Sequence, residues 1–132
     1  MASVLLSVTR LKVRSLRFLP AFIWYAILCQ RQARKAEGCL ASDTRREKRF
    51  VFWTRTAWRD EADMRGFMTT GAHKQAMPKL LYWCSEASVV HWHDRLPALP
   101  DWNVAEERLR RDGRVSRVRY PSAAHAQGTS VP

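Results

Sequence analysis

The sequence predicts an α+β domain of the ferredoxin-like type, in which strands and helices follow one another as β-α-β-β-α-β. Three observations support this prediction. The chain has 132 residues, the usual size of one domain. Its 46% hydrophobic and 27% charged residues are typical of a globular protein. Short β-branched and aromatic segments alternate with longer helical ones. We expect the domain over residues 1–95, followed by an appended segment over residues 96–132.

The first half of the predicted domain is a strand, a long helix and a second strand. Residues 3–13 are rich in β-branched residues and predict the first strand. Residues 16–36 predict the helix, with Pro20 in its first turn, where the missing N–H costs little. Residues 39–45 predict the second strand, and the charged residues 45–49 predict a turn after it.

The second half begins with the strongest strand signal in the chain, residues 50–58, which are aromatic and β-branched. Asp60 is then a predicted helix N-cap, since acidic residues follow it in the first turn. The helical pattern resumes over residues 72–87, where Pro78 predicts a kink or a fresh start. Residues 88–93 predict the last strand.

The appended segment has a different character. Residues 96–100 contain two prolines and predict a stiff linker. Residues 101–112 predict a short helix, which Trp102 and Leu109 could dock onto the domain. Residues 120–132 are rich in small residues and are expected to be frayed.

Both faces of the predicted sheet carry apolar side chains. In the first strand Leu6 lies on one face and Leu5 on the other, and in the third strand Phe52 and Trp53 do the same. A sheet that is apolar on both faces needs two covers, and the two predicted helices supply only one. We therefore expect a homodimer in which two sheets pack face to face.

The charge of the chain is strongly positive, with 23 Lys and Arg against 12 Asp and Glu, a net charge of +11. Such a balance is typical of proteins that bind nucleic acid or an anionic membrane surface. No zinc-finger spacing or RNA-binding motif is present, so we expect no nucleic-acid partner.

The apolar residues 18–29 are too few to span a bilayer, but with the basic residues around them they leave peripheral membrane contact open. No cleavage site follows this run, so we expect an unprocessed, cytoplasmic protein.

A longer string of residues resembles a known family. Residues 52–77, FWTRTAWRDEADMRGFMTTGAHKQAM, resemble the strand–helix core of the antibiotic-biosynthesis-monooxygenase-like dimeric α+β barrels. Together with residues 7–33, SVTRLKVRSLRFLPAFIWYAILCQRQA, they are most similar to the spheroidene monooxygenase (acyclic carotenoid 2-ketolase) branch. The resemblance covers roughly residues 3–93.

The resemblance implies a small homodimeric barrel with one pocket per protomer between sheet and helices. It implies a monooxygenase that acts on a hydrophobic conjugated substrate of the carotenoid or polyketide kind, either without a cofactor or with haem. In haem-degrading members a histidine ligates the iron, and this position falls on His73. Their tryptophan falls on Phe67 and their strand asparagine on Thr9, so the resemblance makes Phe67 a cofactor-binding candidate and Thr9 a second catalytic candidate beside His73. Because both residue types differ from the haem-degrading pattern, both cofactor alternatives stay open.

Among individual residues, His73 is the main candidate, because imidazole titrates near neutrality and can act as a base or as a ligand. Its ordinary alternative is a structural hydrogen bond at a helix end. Phe22, Trp53, Trp58 and Phe67 are candidates for lining an apolar substrate pocket, and their ordinary alternative is the hydrophobic core.

Metal chemistry has little support in the sequence. His91 and His93 lie two apart on a predicted strand and could join His73 in a three-histidine site, but no carboxylate partner is evident. The three cysteines are far apart and form no metal-binding pair. We expect no metal site, and we keep a non-catalytic module that binds a small ligand as the alternative to an enzyme.

Overall fold

The chain forms an antiparallel five-stranded sheet in the order β2-β3-β1-β4-β5, as seen in a computed structural model that describes residues 3–95 and 98–132. The predicted β-α-β-β-α-β order and the ferredoxin-like α+β class are confirmed. The second helix of that order is divided into α2 and α3, and further elements follow β4. A 3-10 turn, Leu16–Phe18, precedes α1. The elements are β1 (Val4–Val13), α1 (Leu19–Lys35), β2 (Cys39–Glu47), β3 (Val51–Trp58), α2 (Glu61–Met68), α3 (Gly71–Trp83), β4 (Cys84–Asp94), α4 (Trp102–Asp112), β5 (Arg114–Val115) and α5 (Ala123–Ala126).

Two predicted boundaries are wrong. The second strand continues to Glu47, because it pairs with β3 along its whole length, and the chain reverses at Lys48, whose φ is 56°. The helix predicted over residues 72–87 ends at Trp83, and Cys84 already belongs to β4. Pairing with β1 overrides the helical pattern there, because Cys84 lies opposite Val13.

The two sequence signals at Asp60 and Pro78 had different outcomes in the structure. The cap at Asp60 is confirmed, since its side chain accepts a hydrogen bond of 2.8 Å from the backbone N–H of Asp63. The fresh start predicted at Pro78 is wrong, because α3 runs through it. The kink stays a prediction, and the ring of Pro78 is exposed. No helix in the described ranges is long and apolar enough to cross a membrane.

The second face of the sheet is covered by the chain's own C-terminal segment. Leu109 and Ala105 of α4 are fully buried against Leu6, Val8 and Trp53 of the sheet. The premise that one chain supplies only one cover is therefore wrong, because residues after 95 provide the other. The homodimer and its closed barrel stay a prediction.

The C-terminal tail is also part of this cover, so the frayed end predicted over residues 120–132 is wrong. His125 and Ser130 are buried, and the Nε2 atom of His125 lies 2.7 Å from the carbonyl oxygen of Ser116. The hydroxyl of Ser88 in β4 donates a 2.8 Å hydrogen bond to the carbonyl of Ser130. Of the predicted linker over residues 96–100, residues 96 and 97 lie outside the described residues.

A buried ion pair ties the tail to the central strands. Arg10 of β1 donates a 2.7 Å hydrogen bond to Glu86 of β4, and both side chains are less than a tenth exposed. Ser122 donates to the other carboxylate oxygen of Glu86 at 2.8 Å. Burial raises the pKa of Glu86, but the hydrogen bonds from Arg10 and Ser122 outweigh it, and the net pKa lies below its ordinary value.

Candidate functional site

On the face that packs against α1, α2 and α3, the sheet carries two apolar clusters with polar side chains between them. One cluster contains Val13 and Phe22, and the other contains Leu5, Trp58 and Met64. Between them the strand register brings together the residues that we call the polar band: Ser7, Thr9, Thr54, Thr56 and His91.

The helices do not seal the polar band. Thr9 and Thr54 lie opposite each other in the two central strands, yet both are only half-buried, as are Ser7 and His91. A central strand covered by tightly packed helices would bury such positions. The polar band is therefore a part of the interior that solvent reaches.

Three rings stand in a row at the edge of the polar band. The ring centroids of Trp58 and Phe67 are 5.2 Å apart, and those of Phe67 and His73 are 4.8 Å apart. The indole N–H of Trp58 donates a 2.9 Å hydrogen bond to the hydroxyl of Thr56, so the row is joined to the polar band. Packing with α2 creates this arrangement, because Phe67 and Met64 face the sheet from that helix.

The hydrogen bonding of His73 defines which ring nitrogen is available. Its Nδ1 atom lies 3.2 Å from the carbonyl oxygen of Met68. A carbonyl can only accept a hydrogen bond, so the neutral imidazole carries its proton on Nδ1 and its lone pair on Nε2. In the described part of the chain, Nε2 has no hydrogen-bond partner and is not among the fully buried atoms that lack one.

Burial lowers the pKa of His73 below its ordinary value of 6.5, and the hydrogen bond with Met68 opposes this shift. His73 also lies in the first turn of α3, where the positive end of the helix dipole disfavours the charged form. The imidazole is therefore mainly neutral at pH 7, and in this form Nε2 carries the free lone pair.

Gln32 of α1 holds the turn that carries His73. Its side-chain oxygen accepts a 2.9 Å hydrogen bond from the backbone N–H of His73, and its nitrogen donates to the carbonyls of Phe67 and Thr70. Gly71 makes this approach possible, because its φ is 59° and an added Cβ would lie 3.2 Å from the side chain of Gln32. Gln32 thus positions both Phe67 and His73.

An open groove of about 450 Å³ lies beside the ring row, between the end of α1 and α2. Phe67, Gln32 and Thr70 line it together with charged side chains, among them Glu37 and Asp63. The groove is thus partly apolar and partly charged.

The structure brings together only some of the residues that the sequence singled out. His73, Phe67 and Trp58 are neighbours. Thr9 lies in the polar band. It is four residues along β1 from Leu5, the residue opposite Trp58, and four residues of strand span about 13 Å. Phe22 packs on Phe52 in the other apolar cluster, with ring centroids 4.7 Å apart.

Trp53 lies on the opposite face of the sheet from Trp58, in the cluster beneath α4. The two tryptophans therefore cannot line one pocket. They are five residues apart, and an odd spacing in a strand puts side chains on opposite faces. The odd spacing in the sequence was therefore enough to show that the two tryptophans lie on opposite faces of the strand.

Several residues of the site were not singled out from the sequence. Gln32 gave no signal, because its role depends on the packing of α1 against the turn after α2. Ser7, Thr54 and Thr56 are polar positions in apolar strands, which is a signal, but only the register places them side by side. His91 was considered only as a metal ligand.

Within residues 3–95 and 98–132, no group of three or more His, Cys, Asp or Glu side chains is arranged to hold a metal ion. For haem, the hydrogen bonding of His73 suits an axial ligand, because Nδ1 is engaged and Nε2 is free. The surroundings do not suit a porphyrin. Phe67 packs on the imidazole with ring centroids 4.8 Å apart, and His73 is not among the residues that line the groove, so the groove does not present Nε2 to a porphyrin. The residues present therefore do not fit haem.

No family model and no curated protein matches the chain. Solved structures do match it. A protein described as antibiotic biosynthesis monooxygenase is 17% identical, with a TM-score of 0.62 over 70% of this chain and 99% of its own. A protein of unknown function from Bacteroides thetaiotaomicron, described as a possible oxidoreductase, is 20% identical, with a TM-score of 0.58 over 70% of this chain and 98% of its own. A candidate antibiotic biosynthesis monooxygenase from Deinococcus radiodurans is 14% identical, with a TM-score of 0.60 over 67% of this chain and 89% of its own. At these identities the similarity shows the fold alone, and this chain shares the ferredoxin-like α+β fold of these proteins.

Proposed function

We propose that the protein is a cofactor-free oxygenase of an apolar conjugated substrate, with His73 as its general base. The observation that carries the proposal is the state of His73, which is neutral, half-buried and bonded through Nδ1, so that Nε2 is free to accept a proton. The fold shared with proteins described as monooxygenases supports it.

The reaction converts an activated methylene into a carbonyl, R₂CH₂ + O₂ → R₂C=O + H₂O. Nε2 of His73 removes one proton from the carbon, which leaves a carbanion spread over the conjugated system. The carbanion supplies electrons to O₂, one oxygen atom stays on the carbon, and the other leaves as water with the two hydrogens. This chemistry needs a weakly acidic C–H bond, so it favours a polyketide-like aromatic over a carotenoid-like polyene.

The substrate would extend from the ring row into the polar band. Trp58 and Phe67 supply flat apolar surface, and the hydroxyls of Thr9 and Thr54 supply hydrogen bonds. The distance of about 13 Å between Thr9 and the strand position opposite Trp58 suits a molecule of several fused or conjugated units. In this proposal Thr9 orients the substrate.

Oxygen consumption tests the proposal. The protein is incubated with anthrone-type aromatic methylene compounds and, separately, with polyenes, and O₂ uptake and carbonyl formation are measured. We expect His73→Gln to lower the rate by roughly 10²–10⁴-fold, since this is the usual contribution of a general base. His93→Gln is the matched control, because His93 is exposed and its side chain forms no hydrogen bond in the described structure. A His73→Gln variant as active as His93→Gln would refute the role of His73.

The pH profile gives a second readout. Because burial lowers the pKa of His73, kcat/KM should fall with acid along a curve whose midpoint lies below pH 6.5.

The second candidate is a binding module without catalysis. The open, partly charged groove beside Phe67 favours it, because an oxygenase site usually excludes water. Saturable quenching of tryptophan fluorescence by the same aromatics, with no O₂ uptake by the wild-type protein, would support this candidate over the enzyme.

A further inference from the structure

The outer surface of the helical layer exposes apolar side chains at regular spacing. On α1 the solvent-facing positions include Pro20, Trp24, Ile27, Arg31 and Arg34, which recur every three or four residues. The side chain of Trp24 is 57% exposed and that of Ile27 is 43% exposed. The two lie about one turn apart, so they form one apolar patch in the middle of this stripe.

The neighbouring helix extends this surface. α3 packs alongside α1, and the ammonium of Lys79 lies 5.7 Å from the ring of Tyr25 in α1. Met77 and Tyr82 of α3 are each more than a third exposed. We call the solvent-facing side chains of α1 and α3 the helical face.

The helical face contains cations and no acidic side chain. Neither α1 nor α3 has a single Asp or Glu, although the chain has 12. The two helices expose the five cations Arg31, Arg34, Lys35, Lys74 and Lys79. Among the described residues, none of the five forms an ion pair. No ion pair among the described residues therefore neutralises the positive charge of this face.

We propose that the helical face docks on the surface of an anionic phospholipid bilayer. Trp24 and Ile27 enter the boundary between headgroups and acyl chains, where an indole is favoured. The five cations lie on the lipid phosphates, and each cation close to an anionic leaflet strengthens binding about fivefold. The interaction is peripheral and does not depend on the proposed oxygenase activity.

The composition of the face argues against two other occupants. A second copy of the chain would bring five cations against five cations with no carboxylate between them. A nucleic acid would match the cations but would leave Trp24 and Ile27 without apolar contact, since duplex phosphates offer none. A lipid surface satisfies both the charge and the apolar patch.

Vesicle sedimentation tests the proposal. The full chain is mixed, at ~0.15 M salt, with vesicles of phosphatidylcholine alone or of phosphatidylcholine with phosphatidylglycerol, and the bound fraction is measured. We expect binding to the anionic vesicles that weakens with added salt and is much weaker on the neutral ones. Arg31→Gln with Arg34→Gln should weaken binding roughly 30-fold, and Trp24→Ser with Ile27→Ser at least about tenfold.

Matched controls carry the same changes elsewhere. Arg114→Gln with Arg117→Gln removes the same charge from two exposed positions, and Leu40→Ser with Val104→Ser removes two apolar side chains that are each 47% exposed. All four double variants change exposed side chains, and their unfolding curves check that they fold. Controls that lose as much binding as the helical-face variants would overturn the proposal.

Three further results would also overturn it: equal binding to neutral vesicles, binding to duplex DNA or RNA but not to vesicles, and a dimer in solution that Trp24→Ser with Ile27→Ser disrupts.

Discussion

Truncating Leu109 tests whether the C-terminal helix covers the second face of the sheet. Leu109 of α4 is 0% exposed and packs in one cluster with Leu6, Val8 and Trp53 of the sheet. Leu109→Ala removes three carbon atoms from this cluster and leaves a cavity that a rigid sheet cannot fill.

The expected loss is about 3 kcal/mol in the free energy of unfolding, within the range of roughly 2–5 kcal/mol for buried leucines. For a domain of this size, ~4 °C per kcal/mol converts this loss to a fall in Tm of roughly 12 °C. Val104→Ala is the matched control, because Val104 is on the same helix but 47% exposed, and it should change stability by less than about 0.5 kcal/mol.

Urea denaturation followed by tryptophan fluorescence measures both variants, since Trp53 and Trp92 lie in the affected cluster. If Leu109→Ala costs no more than Val104→Ala, α4 does not pack on the sheet. The second face would then be open, and the sheet-to-sheet dimer expected from the sequence would again be the economical cover.

Three further predictions follow from the buried polar groups. Glu86→Gln leaves Arg10 as an uncompensated buried charge and should lower the free energy of unfolding by about 3–5 kcal/mol. Glu107→Gln on the surface is the control and should lower it by less than about 0.5 kcal/mol. Equal losses for the two variants in urea denaturation would contradict the buried pair. Burial lowers the pKa of His73 in the folded protein below 6.5, so the unfolded chain binds more protons than the folded one as the pH falls. The free energy of unfolding therefore decreases from its value above pH 6.5 as the pH falls toward the lower folded pKa. The unfolding free energy of His73→Gln should therefore change less between pH 7 and pH 5 than that of the wild type, and a slope equal to the wild type would contradict this. Titration of the wild-type protein with haemin should give no saturable Soret band. A saturable band that is lost in His73→Ala would show that the site does fit haem.

Much of the fold could be predicted from local patterns. The alternation in β1 and β3, the cap at Asp60 and the cations at the end of α1 are signals over a few residues, and each led to an element that the structure contains. The boundary between α3 and β4 could not be predicted in this way, because residues 84–87 fit both patterns and only pairing with β1 decides between them.

The candidate site was predictable only in part. His73, Phe67 and Trp58 share one sequence neighbourhood and one local unit of strand and helix, so they could be expected to meet. Gln32 and the polar band depend on contacts between segments far apart in the chain, and no local pattern reports such contacts.

The sequence by itself determined the class of the domain, the order of its elements and the apolar character of both sheet faces, because side-chain periodicity follows directly from backbone geometry. Only the tertiary structure decided what covers the second face. Alternation shows that Leu6 and Trp53 must be buried, but a second copy and the chain's own α4 satisfy that requirement equally well. The choice depends on how Leu109 and Ala105 fit the sheet, which is a matter of shape between distant segments.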